Sequence, residues 1–173
     1  MIIWFTGLSG SGKTTFANFF IRQLKKKIKK KVIHIDGDKF RSIFNDLNYS
    51  LKDRVKNSER VCKLASFLNE SGQFIIIVSM VSISQKWLNW VRKKNNDYFQ
   101  IFIDVPIDIL KKRNVRNIYK KKDIVGINIK YTKPTKNDLI IKNNFKKFFL
   151  KKAVNNILND RKIKKTFKKY EKS

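Results

Sequence analysis

The stretch GLSGSGKTT, Gly7 to Thr15, brings together the residue types that handle phosphate. Gly7, four residues, then Gly12, Lys13 and Thr14 is the P-loop spacing, in which successive backbone N–H groups turn inward onto phosphate oxygens. Gly7, Gly10 and Gly12 allow the tight turn, and Leu8, Ser9, Ser11 and Thr15 contribute to the cradle. In that pattern Lys13 reaches the β- and γ-phosphates of ATP and Thr14 offers its hydroxyl to Mg2+. A strand must enter such a loop and a helix must leave it. The apolar run Ile2 to Phe5 supplies the first, and Phe16, Phe19, Phe20 and Leu24, at helical spacing, supply the second.

Further polar residues fall at the carboxyl ends of later apolar runs, where an open α/β sheet places its ligands. Asp36, in Asp36-Gly37-Asp38, ends the run Val32 to Ile35. It can face the γ-phosphate, bind Mg2+ through water, or accept a proton from an attacking hydroxyl. Strand three ends in Ser79 and offers no Walker B aspartate, so Asp36 is the expected metal and catalytic carboxylate. Asp38 reads as a helix N-cap on the acceptor side, Asp104 as a cap or turn residue, and His34 as structural. Arg41, Arg54 and Arg60 precede strand three, and planar guanidiniums suit bidentate contact with an anionic acceptor. Asn57, one helical turn from Arg54, can bond a ribose or base, and Tyr49 can stack on a base. Arg113 and the following NVRNIYKKKD suit an adenine contact and a basic lid, with Lys120 as a further acceptor contact.

Positioning these groups requires alternating strands and helices. Strands are expected at Ile2–Phe5, Val32–Ile35, Phe74–Ser79, Phe99–Ile103 and Asp138–Ile141. Helices are expected behind the P-loop, at Arg54–Glu70, around Trp87 to Val91, from Pro106 to Arg113 and over Phe145–Ile157. That order predicts an α/β P-loop NTPase fold, a parallel sheet with helices on both faces. The 173 residues suit one domain, 1–160, followed by the basic tail 161–173, expected to be frayed. Cys62, the single cysteine, sits at a helical core position and excludes an internal disulfide. The longest apolar run, Phe74 to Val81, is too short to span a bilayer, and a cytoplasmic protein without a membrane partner is expected. The net charge of +28 is carried by lysines that accompany abundant Ile, Asn and Phe, the signature of AT-rich coding. Nucleic acid is therefore not the expected partner, although the field would draw in anionic substrates.

WFTGLSGSGKTT, DGDKFR at Asp36 to Arg41, LNYSLKDRVKNSERV at Leu47 to Val61, VSMVSIS around Ser82, FIDVP at Phe102 to Pro106, RNVRNIYKK at Arg113 to Lys121 and VGINIKYTKP ending at Pro134 run in one order. In that order the chain resembles the adenylylsulfate kinases, which phosphorylate the 3′-hydroxyl of adenosine 5′-phosphosulfate with ATP. The resemblance implies ATP on the P-loop and the acceptor nucleotide on Arg41, Arg54 and Asn57. It also implies that Ser82 stands at the family's functional serine, phosphorylated in some members. The departures are Ile83 where the family has proline, Tyr49 for a stacking phenylalanine, and Ile124-Val125-Gly126 for a phenylalanine-threonine-glycine lid. An arginine expected soon after Ser82 is also missing. These features resemble the branch that phosphorylates cytidine diphosphoramidate in capsule biosynthesis. A small nucleotide acceptor is the expected partner, with a homodimer as an open option. A shikimate-type kinase and a polynucleotide 5′-kinase are the rival readings.

Overall fold

Apolar runs without polar alternation must be covered on both faces, and in the computed structural model they form one parallel sheet. The structure describes residues 1–45, 48–115, 117, 123–146 and 148–171, without the side chain of 171. In chain order the elements are β1 (Ile2–Thr6), α1 (Lys13–Leu24), β2 (Lys31–Asp36), α2 (Gly37–Ile43), α3 (Leu51–Glu70) and β3 (Phe74–Met80). They continue with α4 (Gln85–Lys94), β4 (Tyr98–Asp104), α5 (Ile107–Arg113), β5 (Leu139–Lys142), α6 (Phe149–Asn159) and α7 (Arg161–Glu171).

The strand order is β2-β3-β1-β4-β5, with every pairing parallel. Thr6 at the end of β1 pairs with Met80 and Phe102, and Asp36 with Ser79, so the strands deliver their carboxyl ends to one edge. On one face Phe16, Phe20, Val154 and Ile157 pack with Ile3, Phe5 and Ile101. On the other Val61, Cys62, Ala65 and Leu88 pack with Ile2, Trp4 and Val78. Helices therefore cover both faces, as the strand and helix alternation requires. Burial pushes the Cys62 thiol pKa far up, which agrees with a core rather than a nucleophilic role.

Several local expectations need correction. Helix α3 begins at Leu51 rather than Arg54, because Ser50 caps it and accepts the Asp53 amide at 3.3 Å. The cap of α2 is Asp36, not Asp38: the Asp36 side chain accepts from the amides of Asp38 and Lys39. Helix α6 starts at Phe149, because Phe145 takes a left-handed φ of 59° and its amide bonds to Asn143 Oδ1. Asp138 lies before β5 and anchors it, accepting from the Gln100 amide, Arg92 and Lys162.

The tail is the largest difference. Residues 161–171 form a regular helix whose Ile163 and Phe167 enter the same core as Phe5 and Phe20. Lysines dominate the count, but those two apolar residues are one turn apart and share a face. Lys162 Nζ donates to the Tyr98 carbonyl at 2.9 Å, and Lys30 Nζ lies 3.7 Å from the centre of the Tyr170 ring. The tail is docked rather than frayed.

Candidate active site

The loop between β1 and α1 folds as the glycine spacing requires. A Cβ on Gly7 would lie 2.5 Å from the Ile103 carbonyl oxygen, and φ there is 151°, so glycine is needed twice over. Lys13 opens α1, buried, and its Nζ donates to the Leu8 carbonyl at 2.8 Å, closing the loop on itself. Burial lowers the Lys13 pKa to about 8, against the opposing pull of Asp38 and then Asp36. A bound polyphosphate would replace that carbonyl with the negative charge the ammonium lacks.

Asp36 sits at the end of β2 across a dense set of donors. Its Oδ2 accepts from Thr14 Oγ1 at 2.8 Å and Ser79 Oγ at 3.0 Å, and its Oδ1 accepts from the amides of Asp38 at 3.1 Å and Lys39 at 3.3 Å. Burial alone would raise this carboxyl, but the hydrogen bonds, led by Thr14, outweigh it and hold the pKa below the usual range. Thr14 and Asp36 are hard oxygen donors on the cavity wall, a set that fits Mg2+, an ion that takes few protein ligands and keeps its waters. Among the described residues no group of three or more His, Cys, Asp or Glu forms a metal cage.

Two cavities meet here. The first, 430 Å³, runs along the P-loop past Thr14 and Asp36 to Arg113, Asn143 and Phe145. The Arg113 guanidinium lies 3.7 Å from the Phe145 ring centre, which places it at the distal end of this cavity. The second cavity, 140 Å³, is bounded by Arg41, Tyr49, Arg54, Asn57, Asp123 and Ile124. Ser9, Asp38, Met80 and Val81 line both. Gly37 lets α2 approach β3 closely enough to form this wall, since a Cβ there would lie 2.5 Å from the Met80 Cβ.

The residues expected at an acceptor are assembled in the second cavity. Arg41 is buried and donates to the Asn48 carbonyl, while its guanidinium and that of Arg54 lie 4.7 and 5.2 Å from the Tyr49 ring centre. Arg54 also donates to the carbonyls of Tyr49 and Asp123 at 2.8 and 2.9 Å. Asn57 is buried, with Nδ2 3.4 Å from the Gly37 carbonyl.

Two expectations are not met in this geometry. Arg60 lies outside the cavity with its guanidinium over Phe44 at 4.3 Å. Ser82 is buried and accepts from Trp4 Nε1 at 2.9 Å, so its hydroxyl faces the α3–α4 core rather than either cavity. Asp104, expected as a cap or turn residue, pairs with Lys133 at 3.0 Å, and its carbonyl accepts from the Asn143 amide at 3.1 Å. Lys120 and most of the expected lid lie outside the described residues. The sequence reading missed Asn143, which donates to the Ser11 carbonyl at 2.9 Å, and Phe145 beside it. Their place just past the carboxyl end of β5 was the available signal.

A phosphate loop at the carboxyl edge of a parallel sheet, with a second cavity sharing its inner wall, defines a P-loop kinase, a class that moves a phosphoryl group from one cavity to the other. The chain belongs to the adenylylsulphate kinase family, whose model matches residues 1–142, and is an ATP-dependent phosphotransferase. It is 34% identical over 148 residues to the cytidine diphosphoramidate kinase of Campylobacter jejuni, covering 82% of this chain and 85% of that one. It is 37% identical over 153 residues to the adenylyl-sulfate kinase of Buchnera aphidicola from Acyrthosiphon pisum, covering 82% and 72%. The Mycobacterium tuberculosis APS kinase CysC, solved with AMPPNP and APS, superposes with a TM-score of 0.77 at 27% identity, covering 91% of this chain and 95% of that one. Among the described residues no helix is long and apolar enough to cross a membrane.

Proposed function

We propose that this enzyme transfers the γ-phosphoryl group of ATP to the ribose 3′-hydroxyl of an anionic nucleotide, with adenosine 5′-phosphosulfate as the leading acceptor. The observation that carries the reading is the shared wall. Asp38 borders both the phosphate cavity and the cavity holding Arg41, Arg54 and Asn57. ATP would lie with its phosphates on the loop amides and Lys13 and its base toward Arg113 and Phe145. Thr14 and Asp36 are the residues fitted to hold Mg2+, which neutralises charge across the β- and γ-phosphates when bound. The acceptor anion would engage Arg41 and Arg54, with its base against Tyr49.

This arrangement divides the work of the two aspartates. Asp36 has its carboxylate committed to four donors, whereas no hydrogen bond reaches the Asp38 carboxylate among the described residues. Asp38 is therefore better placed to take the proton from the acceptor hydroxyl, and Asp36 to serve the phosphate side. Lys13 and the loop amides stabilise the charge that develops during in-line transfer.

A second acceptor, cytidine diphosphoramidate, is favoured by one feature. The acceptor cavity is only 140 Å³ and, among its described lining residues, Tyr49 is the single aromatic, a setting that suits a pyrimidine. ADP release measured separately with adenosine 5′-phosphosulfate, cytidine diphosphoramidate and shikimate separates these readings. A higher kcat/KM with the phosphosulfate supports the leading acceptor. Preference for the cytidine compound replaces it while keeping the mechanism, and preference for shikimate removes the nucleotide acceptor altogether.

A further inference from the structure

We infer that His34 and Ser79 brace the Asp36 carboxylate through a one-way hydrogen-bond chain, which makes His34 a positioning residue for phosphoryl transfer. The inference rests on the P-loop kinase reading above. Strand pairing creates the chain: Ser79 on β3 stands directly beside Asp36 on β2, and His34, two residues before Asp36, shares its face. His34 Nε2 lies 2.9 Å from Ser79 Oγ, and Ser79 Oγ lies 3.0 Å from Asp36 Oδ2.

Proton counting sets the direction. An ionised carboxylate only accepts, so the single hydroxyl hydrogen of Ser79 goes to Asp36. The Ser79 oxygen is then left as an acceptor toward the ring, and His34 must donate through Nε2–H, leaving Nδ1 bare. At its far end Asp36 Oδ2 also accepts from Thr14 at 2.8 Å. An aspartate χ2 torsion is broad and soft, so the orientation of its oxygens depends on such donors. When Thr14 turns its hydroxyl toward phosphate or metal, Ser79 is the side-chain donor that keeps Oδ2 in place. His34 in turn keeps the Ser79 rotor pointing at Asp36 instead of at a neighbouring carbonyl.

His34 is the single histidine of the chain, so its ring nitrogens give the only imidazole signals in a 15N spectrum. In the nucleotide-free wild type at pH 8 the expected species is the Nε2–H tautomer, and Ser79→Ala should shift that signal. A ring protonated on Nδ1 with a bare Nε2 reverses the chain and overturns the inference. In kinetics His34→Leu should lower kcat by about tenfold with KM for ATP held within about twofold, the size of losing one hydrogen bond. His34→Gln, which retains an N–H at similar reach, should recover most of that loss. Ser79→Ala and the double variant should fall to the same level, because His34 acts only through Ser79. Additive losses, or no recovery with Gln, reduce His34 to packing. A wild type without kinase activity on any acceptor would defeat the functional reading and leave the tautomer result standing, whereas an active enzyme indifferent to His34→Leu defeats the brace.

Discussion

Replacing Asp38 with Asn tests the division of labour most directly. The substitution keeps the shape of the side chain and removes its charge and its ability to take a proton. Because no hydrogen-bond donor is bonded to that carboxylate among the described residues, the fold loses only its attraction to Lys13 and to the α2 N-terminus, and the melting temperature should fall by no more than a few degrees. A positioned general base is worth about 10²- to 10⁴-fold in rate. At about 1.36 kcal/mol per decade, that is about 2.7 to 5.4 kcal/mol of transition-state stabilisation. Asp38 also pulls on Lys13, and is the largest charge that opposes the lowering of its pKa. If that attraction were its whole role, the loss would appear in ATP binding, since Lys13 would carry less charge. The assay is steady-state ADP release with both substrates varied, alongside a thermal melt. Asp38→Asn should reduce kcat by at least about 10²-fold and leave both KM values within about threefold. A kcat near wild type, or a loss confined to KM for ATP, would refute the base assignment. Asp36→Asn is the companion variant. It should lower kcat as well, but with a lower melting temperature, because its four donors face a group that no longer accepts on every side.

Lys13, with its pKa lowered to about 8 by burial, should take up about half a proton when ATP binds at pH 8, because the phosphates restore its charge. Calorimetry in buffers of different ionisation enthalpy reads that uptake, and Lys13→Met should show none. For the free enzyme the sign follows from the same shift: between about pH 8 and 10.5 the unfolded chain holds more protons, so stability should rise with pH there, and Lys13→Met should flatten the rise. Arg54→Ala should raise the acceptor KM by about tenfold with little change in KM for ATP; an effect on ATP alone would move Arg54 out of the acceptor site. Phe167→Ala should destabilise the fold by about 3 kcal/mol in denaturant titration, whereas a frayed tail would show no change.

The P-loop was legible because its meaning is local. Glycine conformations, the buried strand before the loop and the helix after it are properties of neighbouring residues, and Gly7 to Thr15 holds them all. Alternation of apolar runs with helical spacing was enough to predict a parallel sheet covered on both faces. The same locality explains the errors. Asp38 looked like a cap from its place in the turn after the second strand, but the strand delivers Asp36 to the capping position first. The tail looked frayed because its lysines outnumber the two apolar residues that dock it. Ser82 was singled out by the resemblance to the family's serine position, and the Trp4 indole on the neighbouring strand draws its hydroxyl inward.

By itself, then, the sequence determined a phosphate-binding loop on a parallel α/β sheet and the set of arginines an anionic acceptor would need. The tertiary structure alone decided which side chains share a wall. With β1 placed between β3 and β4, strands distant in the chain deliver their ends side by side. That order brings Asn143 to the Ser11 carbonyl, stands Ser79 beside Asp36, and sets Asp38 between the two cavities. Each of these contacts joins residues that no local pattern connects, because parallel strands are joined through crossover helices, so strands side by side in the sheet lie far apart in the chain.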